Sequence, residues 1–163
     1  MNAEYIPFMR LFAPCFVAAL GVVLSVGWAV AKAADRNRVF GPVAAEVLRI
    51  VDGDTLLVSA RPWPQQTVEV FVRLRGIDAP EMKARCRQER EAAAAARDRL
   101  VRLAGEGTSL LLTNVTGDKY FGRVVADVEL PDGSNPAHDL IAAGLALPYD
   151  GGRKTSPRCG DAR

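Results

Sequence analysis

The sequence predicts a small β-rich α+β domain of about five strands with one long and one short helix, preceded by an N-terminal hydrophobic helix. Three observations carry this. Short runs of Val, Leu and Ile in near-alternation recur between residues 43 and 130, bounded by Gly, Pro or Asp. One stretch, 87–107, breaks that pattern with Ala, Glu, Arg and Leu, which are strong helix formers. Residues 11–31, LFAPCFVAALGVVLSVGWAVA, hold no charge at all.

Residues 34–42, ADRNRVFGP, are polar and end in Gly-Pro, so they read as a linker. Residues 43–60 read as two strands around the turn signal DGD. RPWPQQ, 61–66, is a loop, because its two prolines cannot join a ladder. In 67–75, Val68, Val70, Val72 and Leu74 share one face while Glu69, Phe71, Arg73 and Arg75 share the other. The helix over 87–107 stops at Gly105 or Gly107, and its alanine run suits close packing on a sheet. Strands follow at 108–115 and 123–130, separated by the loop TGDKYFG. PAHDLIAAGLA, 136–146, is a short helix ended by Gly144. The tail, 153–163, reads as irregular. Strands, then a helix, then more strands fit a five-stranded OB-type barrel capped by helices, with an open α+β sheet as the alternative.

The apolar run is long enough to span a bilayer, which takes about 20 residues for about 30 Å of hydrocarbon. AVAKAAD, 29–35, offers small-residue cleavage sites, so residues 1–33 read equally as a secretory signal peptide or a transmembrane anchor. Both readings place the rest of the chain outside the cytoplasm, periplasmic or secreted in one case and held at the inner membrane in the other. Cys86 and Cys159 are the two cysteines beyond that run. An even pair in an exported domain favours a disulfide, with two free thiols as the alternative. Hydrophobic residues make up 49% and charged residues 25% of the 163, which excludes disorder of the whole chain. The net charge of +2 is too small for a protein that binds polyanions by bulk charge, so any phosphate contact must be local.

Three segments concentrate charge where strands end or begin: VDGDT at 51–55, VRLRGIDAPE at 72–81 and GDKYFGR at 117–123. Each alone is ordinary, a turn or a solvated strand face. Together IVDGDTLLV, VRLRGIDAPE, DKYFGRVVADV and LIAAGLALPYDGG, in that order and at compatible spacing, resemble the staphylococcal nuclease (thermonuclease) family over residues 43–152. The resemblance implies an OB barrel with helices and a calcium-dependent phosphodiesterase acting on DNA and/or RNA. By position, Asp54 and Asp78 would ligate calcium, with the backbone carbonyl of Ala79 beside them and Asp52 one layer further out. Glu81 would act on the attacking water as general base, and Arg73 and Arg123 would clamp the scissile phosphate. Tyr120 and Tyr149 are candidates to stack on a base, or are ordinary loop aromatics.

These residue types suit that chemistry. Calcium takes oxygen ligands, a planar guanidinium binds phosphate oxygens in pairs, and a carboxylate near the attacking water accepts its proton. The sequence also departs from the family pattern. DKYFGR carries one extra residue before Arg123, the loop after Glu81 is short, and too little chain follows Tyr149 for a last helix. The expectation is a monomeric nuclease with nucleic acid as substrate, and with the membrane as a second partner if the apolar run is retained. A non-catalytic nucleic-acid-binding OB module is the alternative.

Overall fold

The computed structural model describes residues 37–152 and Cys159. The proposed signal peptide or anchor at 1–33 lies outside the described residues, as does the tail at 153–163 apart from Cys159. Among the described residues no helix is long and apolar enough to cross a membrane.

Five strands close on themselves. They are β2 (Val43–Ile50), β3 (Thr55–Arg61), β4 (Val68–Leu74), β6 (Ser109–Gly117) and β7 (Arg123–Glu129). β2 pairs antiparallel with β3 and β6, β3 with β4, and β6 with β7. The ring closes through β4 and β7, which run parallel, with Phe71 opposite Arg123 and Arg73 opposite Val125. This is the OB-type barrel expected from the alternation, with two helices added. Closure removes the free edges that such short strands would otherwise expose.

Three two-residue strands carry no periodic signal. β1 (Arg38–Val39), inside the stretch read as linker, pairs with Val115 and Thr116 of β6. β5 (Ile77–Asp78) and β8 (Leu147–Pro148) pair with each other and bring the C-terminal segment beside the VRLRGIDAPE loop.

The inward face of each barrel strand supplies the core: Val47, Leu56, Val58, Val72, Leu74, Leu112, Ala126 and Val128 are all buried. Val68 departs from the expected inward row and is exposed, because β4 begins there, beside the loop that joins it to β3. The helix α1 (Arg87–Leu103) ends at Ala104, directly before Gly105, and buries a stripe of Ala93, Ala96 and Leu100. Its small residues allow close approach. A Cβ built on Gly53, in the turn between β2 and β3, would stand 2.7 Å from the Cβ of Ala96 and 2.8 Å from that of Ala79. Gly53 is therefore the point where the helix, the DGD turn and the β5 segment meet. The short helix α2 (Pro136–Ala142) is capped by Asn135, whose Oδ1 accepts from the Ala137 N–H, and Arg99 of α1 ties to it through Asp139 at 2.9 Å.

Cys86 caps the start of α1 and is bonded to Cys159, a closure across 73 residues. In the chain-entropy picture a loop of that size contributes about 4 kcal/mol.

Two outcomes test this packing. Gly53→Ala should lower the unfolding free energy by about 1–3 kcal/mol in urea titration, since the added methyl has no room; an unchanged midpoint would refute the three-way contact. Thiol mapping of the non-reduced full chain should leave Cys86 and Cys159 unlabelled until a reductant is added. Labelling of either before reduction would count against the bridge.

Candidate functional site

The DGD turn is built by its own side chains. The Asp54 N–H donates to Asp52 Oδ1 at 3.1 Å, and the Val51 N–H donates to the Thr55 carbonyl at 2.9 Å. This turns the Asp54 carboxylate inward, where Thr55 Oγ1 donates to its Oδ1 at 2.9 Å and the Ala79 N–H donates to its Oδ2 at 3.3 Å. Asp54 is 4% exposed and Asp78 2%. Between them lies Arg73, whose Nη1 is 2.7 Å from Asp54 Oδ2 and whose Nη2 is 2.9 Å from Asp78 Oδ1. The same Nη2 donates to the Ile77 carbonyl at 3.3 Å. One guanidinium thus bridges two buried carboxylates that come from either side of it in sequence.

Among the contacts described, acidic groups outnumber basic ones in this cluster. Asp54, Asp78 and the nearby Asp52 face one guanidinium. Burial pushes the Asp54 carboxyl up to about 6 with Asp52 adding to the shift, while Arg73 and the hydrogen bonds from Thr55 and Ala79 pull it down. Burial works against the Arg73 charge, but Asp54 and Asp78 outweigh it and its pKa moves up.

The cluster opens on a cleft of about 940 Å³. Asp52, Asp54, Arg73, Ala79, Glu81, Tyr120, Arg123 and Tyr149 all line it. Asp78 does not; its carboxylate is covered and bonded to Arg73. Glu81 follows Pro80 on the rim and is exposed. Cys86 and Cys159 stand elsewhere, at the start of α1.

Arg123 opens β7 in spite of the extra residue before it. Its Nε donates to Asp118 Oδ2 at 2.5 Å and its Cζ lies 4.7 Å from the centre of the Tyr120 ring. Its two terminal nitrogens make no hydrogen bond to any described residue, so the arm is braced at its root while its fork stays available. Tyr149 is placed by β8. Its N–H donates to the Gly76 carbonyl at 2.8 Å, its hydroxyl donates to the Gly152 carbonyl at 2.7 Å, and its ring centre lies 5.8 Å from Arg73 Cζ.

Arg75 has a different task from Arg73. Its Nη2 donates to the carbonyls of Asn114 and Val125 at 2.5 and 2.9 Å and to Thr116 Oγ1 at 3.0 Å. These groups surround the register shift between Thr113 and Thr116, where Asn114 has φ 51°. Arg75 therefore satisfies acceptors that the irregular ladder leaves over. Neither this task nor the brace from Asp118 was readable in advance, since both depend on where the β6–β7 irregularity falls.

The profile of the family described as Staphylococcal nuclease homologue matches residues 71–159. The chain belongs to the staphylococcal nuclease family. An uncharacterized endonuclease from Escherichia coli is 31% identical to it over 108 residues, which is 66% of this chain. The chain spans 62% of the length of that relative.

The carboxylate cluster suits the hard divalent cation that such a family uses. Its donors are oxygens, they are buried, and they outnumber the one guanidinium between them. Among the described residues the carboxylate oxygens of Asp52, Asp54 and Asp78 do not all lie within 4.8 Å of one another. Arg73 occupies the shared edge of Asp54 and Asp78.

In metal-free buffer, Arg73→Ala should cost about 3–5 kcal/mol of stability, because it removes the guanidinium that two buried acids share. Arg75→Ala should cost about 1–3 kcal/mol through the unsatisfied carbonyls. Urea unfolding of both variants measures this, and equal losses would overturn the distinction drawn between the two arginines.

Proposed function

We propose that the protein is a calcium-dependent nuclease that hydrolyses phosphodiester bonds in DNA and/or RNA. One observation carries the reading. Two guanidiniums from adjacent strands and an acid on the rim open on one cleft above a buried pair of aspartates. The family and the endonuclease name of the relative support it.

In this reading Asp54 and Asp78, with the Ala79 carbonyl, hold the cation, and Asp52 stands behind Asp54. When bound, calcium supplies positive charge beside the phosphate and lowers the cost of bringing an anionic nucleophile to it. The remaining work falls to side chains. Arg123, braced by Asp118, presents its free fork to phosphate oxygens, where paired hydrogen bonds are short and strong. The phosphate competes with Asp54 and Asp78 for the Arg73 guanidinium, so the contribution of Arg73 would grow if a cation held those carboxylates. Glu81 is exposed on the rim, where water reaches it. It takes the proton as a water oxygen bonds to phosphorus; the P–O bond to the leaving oxygen breaks, and that oxygen takes a proton from solvent water in the open cleft. Charge that builds up on the phosphoryl oxygens meets donors already in place, which is where a site of this kind gains most of its rate. Nothing in these contacts reads bases, so cleavage is tolerant of sequence.

Location follows the same logic. The Cys86–Cys159 bond supports an oxidising compartment, and residues 11–31 supply the export signal or anchor.

The full chain, assayed on single-stranded and duplex DNA and on RNA, should cleave with calcium and stop with chelator. Glu81→Gln and Arg123→Ala should each lower kcat by about 10²–10³. Undiminished cleavage in chelator would sink the calcium assignment. Binding with no cleavage under any metal would instead favour the non-catalytic module.

A further inference from the structure

The extra residue between Tyr120 and Arg123 is Phe121, and its relative exposure is 109%, the highest of any large hydrophobic residue described. The exposure is a product of a defined turn. The Arg123 N–H donates to the Tyr120 carbonyl at 3.2 Å, and Gly122 takes φ 81°. That places Phe121 at the first corner of a type II turn, the position that points away from the chain on both sides. The Phe71 N–H donates to the Gly122 carbonyl at 3.3 Å and fastens the turn to the barrel. An apolar ring is therefore held out in water at a fixed place, where it makes no ring contact with any described residue.

The neighbouring ring is already engaged. Tyr120 has Arg123 Cζ 4.7 Å and Lys119 Nζ 5.1 Å from its centre, so cations attend it. Tyr120 and Arg123, the residues either side of the Phe121–Gly122 corner, both line the cleft. Phe121 does not itself line the cleft, but it is carried between two residues that do, two positions from a guanidinium whose fork has no described partner.

We propose that Phe121 is a stacking platform for an unpaired nucleobase adjacent to a phosphate held by Arg123. It makes the protein select single-stranded over duplex nucleic acid. A nucleobase is the occupant that fits. It is flat and has an apolar face, and it is tethered to the anion that Lys119 and Arg123 attract. In a duplex both faces of each base are covered by its neighbours, whereas in a single strand one face is readily given up to a ring. The proposal takes its substrate class from the nuclease reading and adds a preference that phosphate contacts alone do not supply.

The test uses the full chain in a Glu81→Gln background, with calcium, and reads fluorescence anisotropy of a labelled oligothymidylate and of a labelled hairpin duplex. Phe121→Ala and Phe121→Leu should each weaken oligothymidylate binding fivefold or more, while Phe121→Trp keeps it. The duplex should respond by less than twofold. In the chain with Glu81 intact, the same substitutions should raise KM on single strands. Wild-type affinity in Phe121→Ala would overturn the proposal, as would full recovery by Phe121→Leu or an equal loss on duplex. So would a loss confined to sedimentation with anionic lipid vesicles, which would assign the ring to a membrane surface. Absence of cleavage in the chain with Glu81 intact, with the Phe121 effect on binding preserved, would count against the nuclease reading alone.

Discussion

The bridge that Arg73 makes between Asp54 and Asp78 holds the site together. It joins the turn after β2, the end of β4 and the short strand β5 at one buried point. The attraction between the arginine and the two acids offsets the cost of taking these charges out of water. The Leu74 N–H donates to the Asp54 carbonyl at 2.8 Å, so the backbone repeats the link that the side chains make. Gly53 then allows α1 to close over the same turn. The proposed cation site and the packing of the helix are thus properties of one knot of chain.

The sequence made part of this legible and left part of it out. Period-two alternation identified the five barrel strands, because burial on one face leaves that imprint on any strand of useful length. It could not reveal β1, β5 and β8, which are two residues long and carry no period. Their absence from the reading mattered, since β8 is what brings Tyr149 to Arg73. The long helix was evident from composition, and it ends at Ala104, directly before Gly105, the nearer of the two glycines that mark its stop.

The charged segments lie far apart in sequence, yet most of the residues named from them line one cleft. The difference between Arg73 and Arg75 was not contained in the strand pattern, which puts both on one face. Family position singled out Arg73. The geometry explains the split: one arginine reaches the acids of the turn, and the other reaches carbonyls stranded at a ladder irregularity. Asp78 shows a similar limit. A carboxylate in a loop motif reads as accessible, yet here it is covered and engaged with Arg73.

The parallel closure of β4 on β7 has one more consequence. Phe71 faces Arg123 and Arg73 faces Val125, so the two arginines sit on one face, one strand across and two rungs along. By strand geometry their Cα atoms are about 8 Å apart, a gauge held by backbone hydrogen bonds. A slip of one residue would not shorten the gauge. It would turn Arg123 into the barrel interior, where no group could neutralise it. An inserted residue is compatible with the site only if a turn absorbs all of it, and the corner at Phe121 and Gly122 does so. The loop before β7 is thus the stretch where this chain can gain length and new surface while the spacing of its two cationic arms stays fixed.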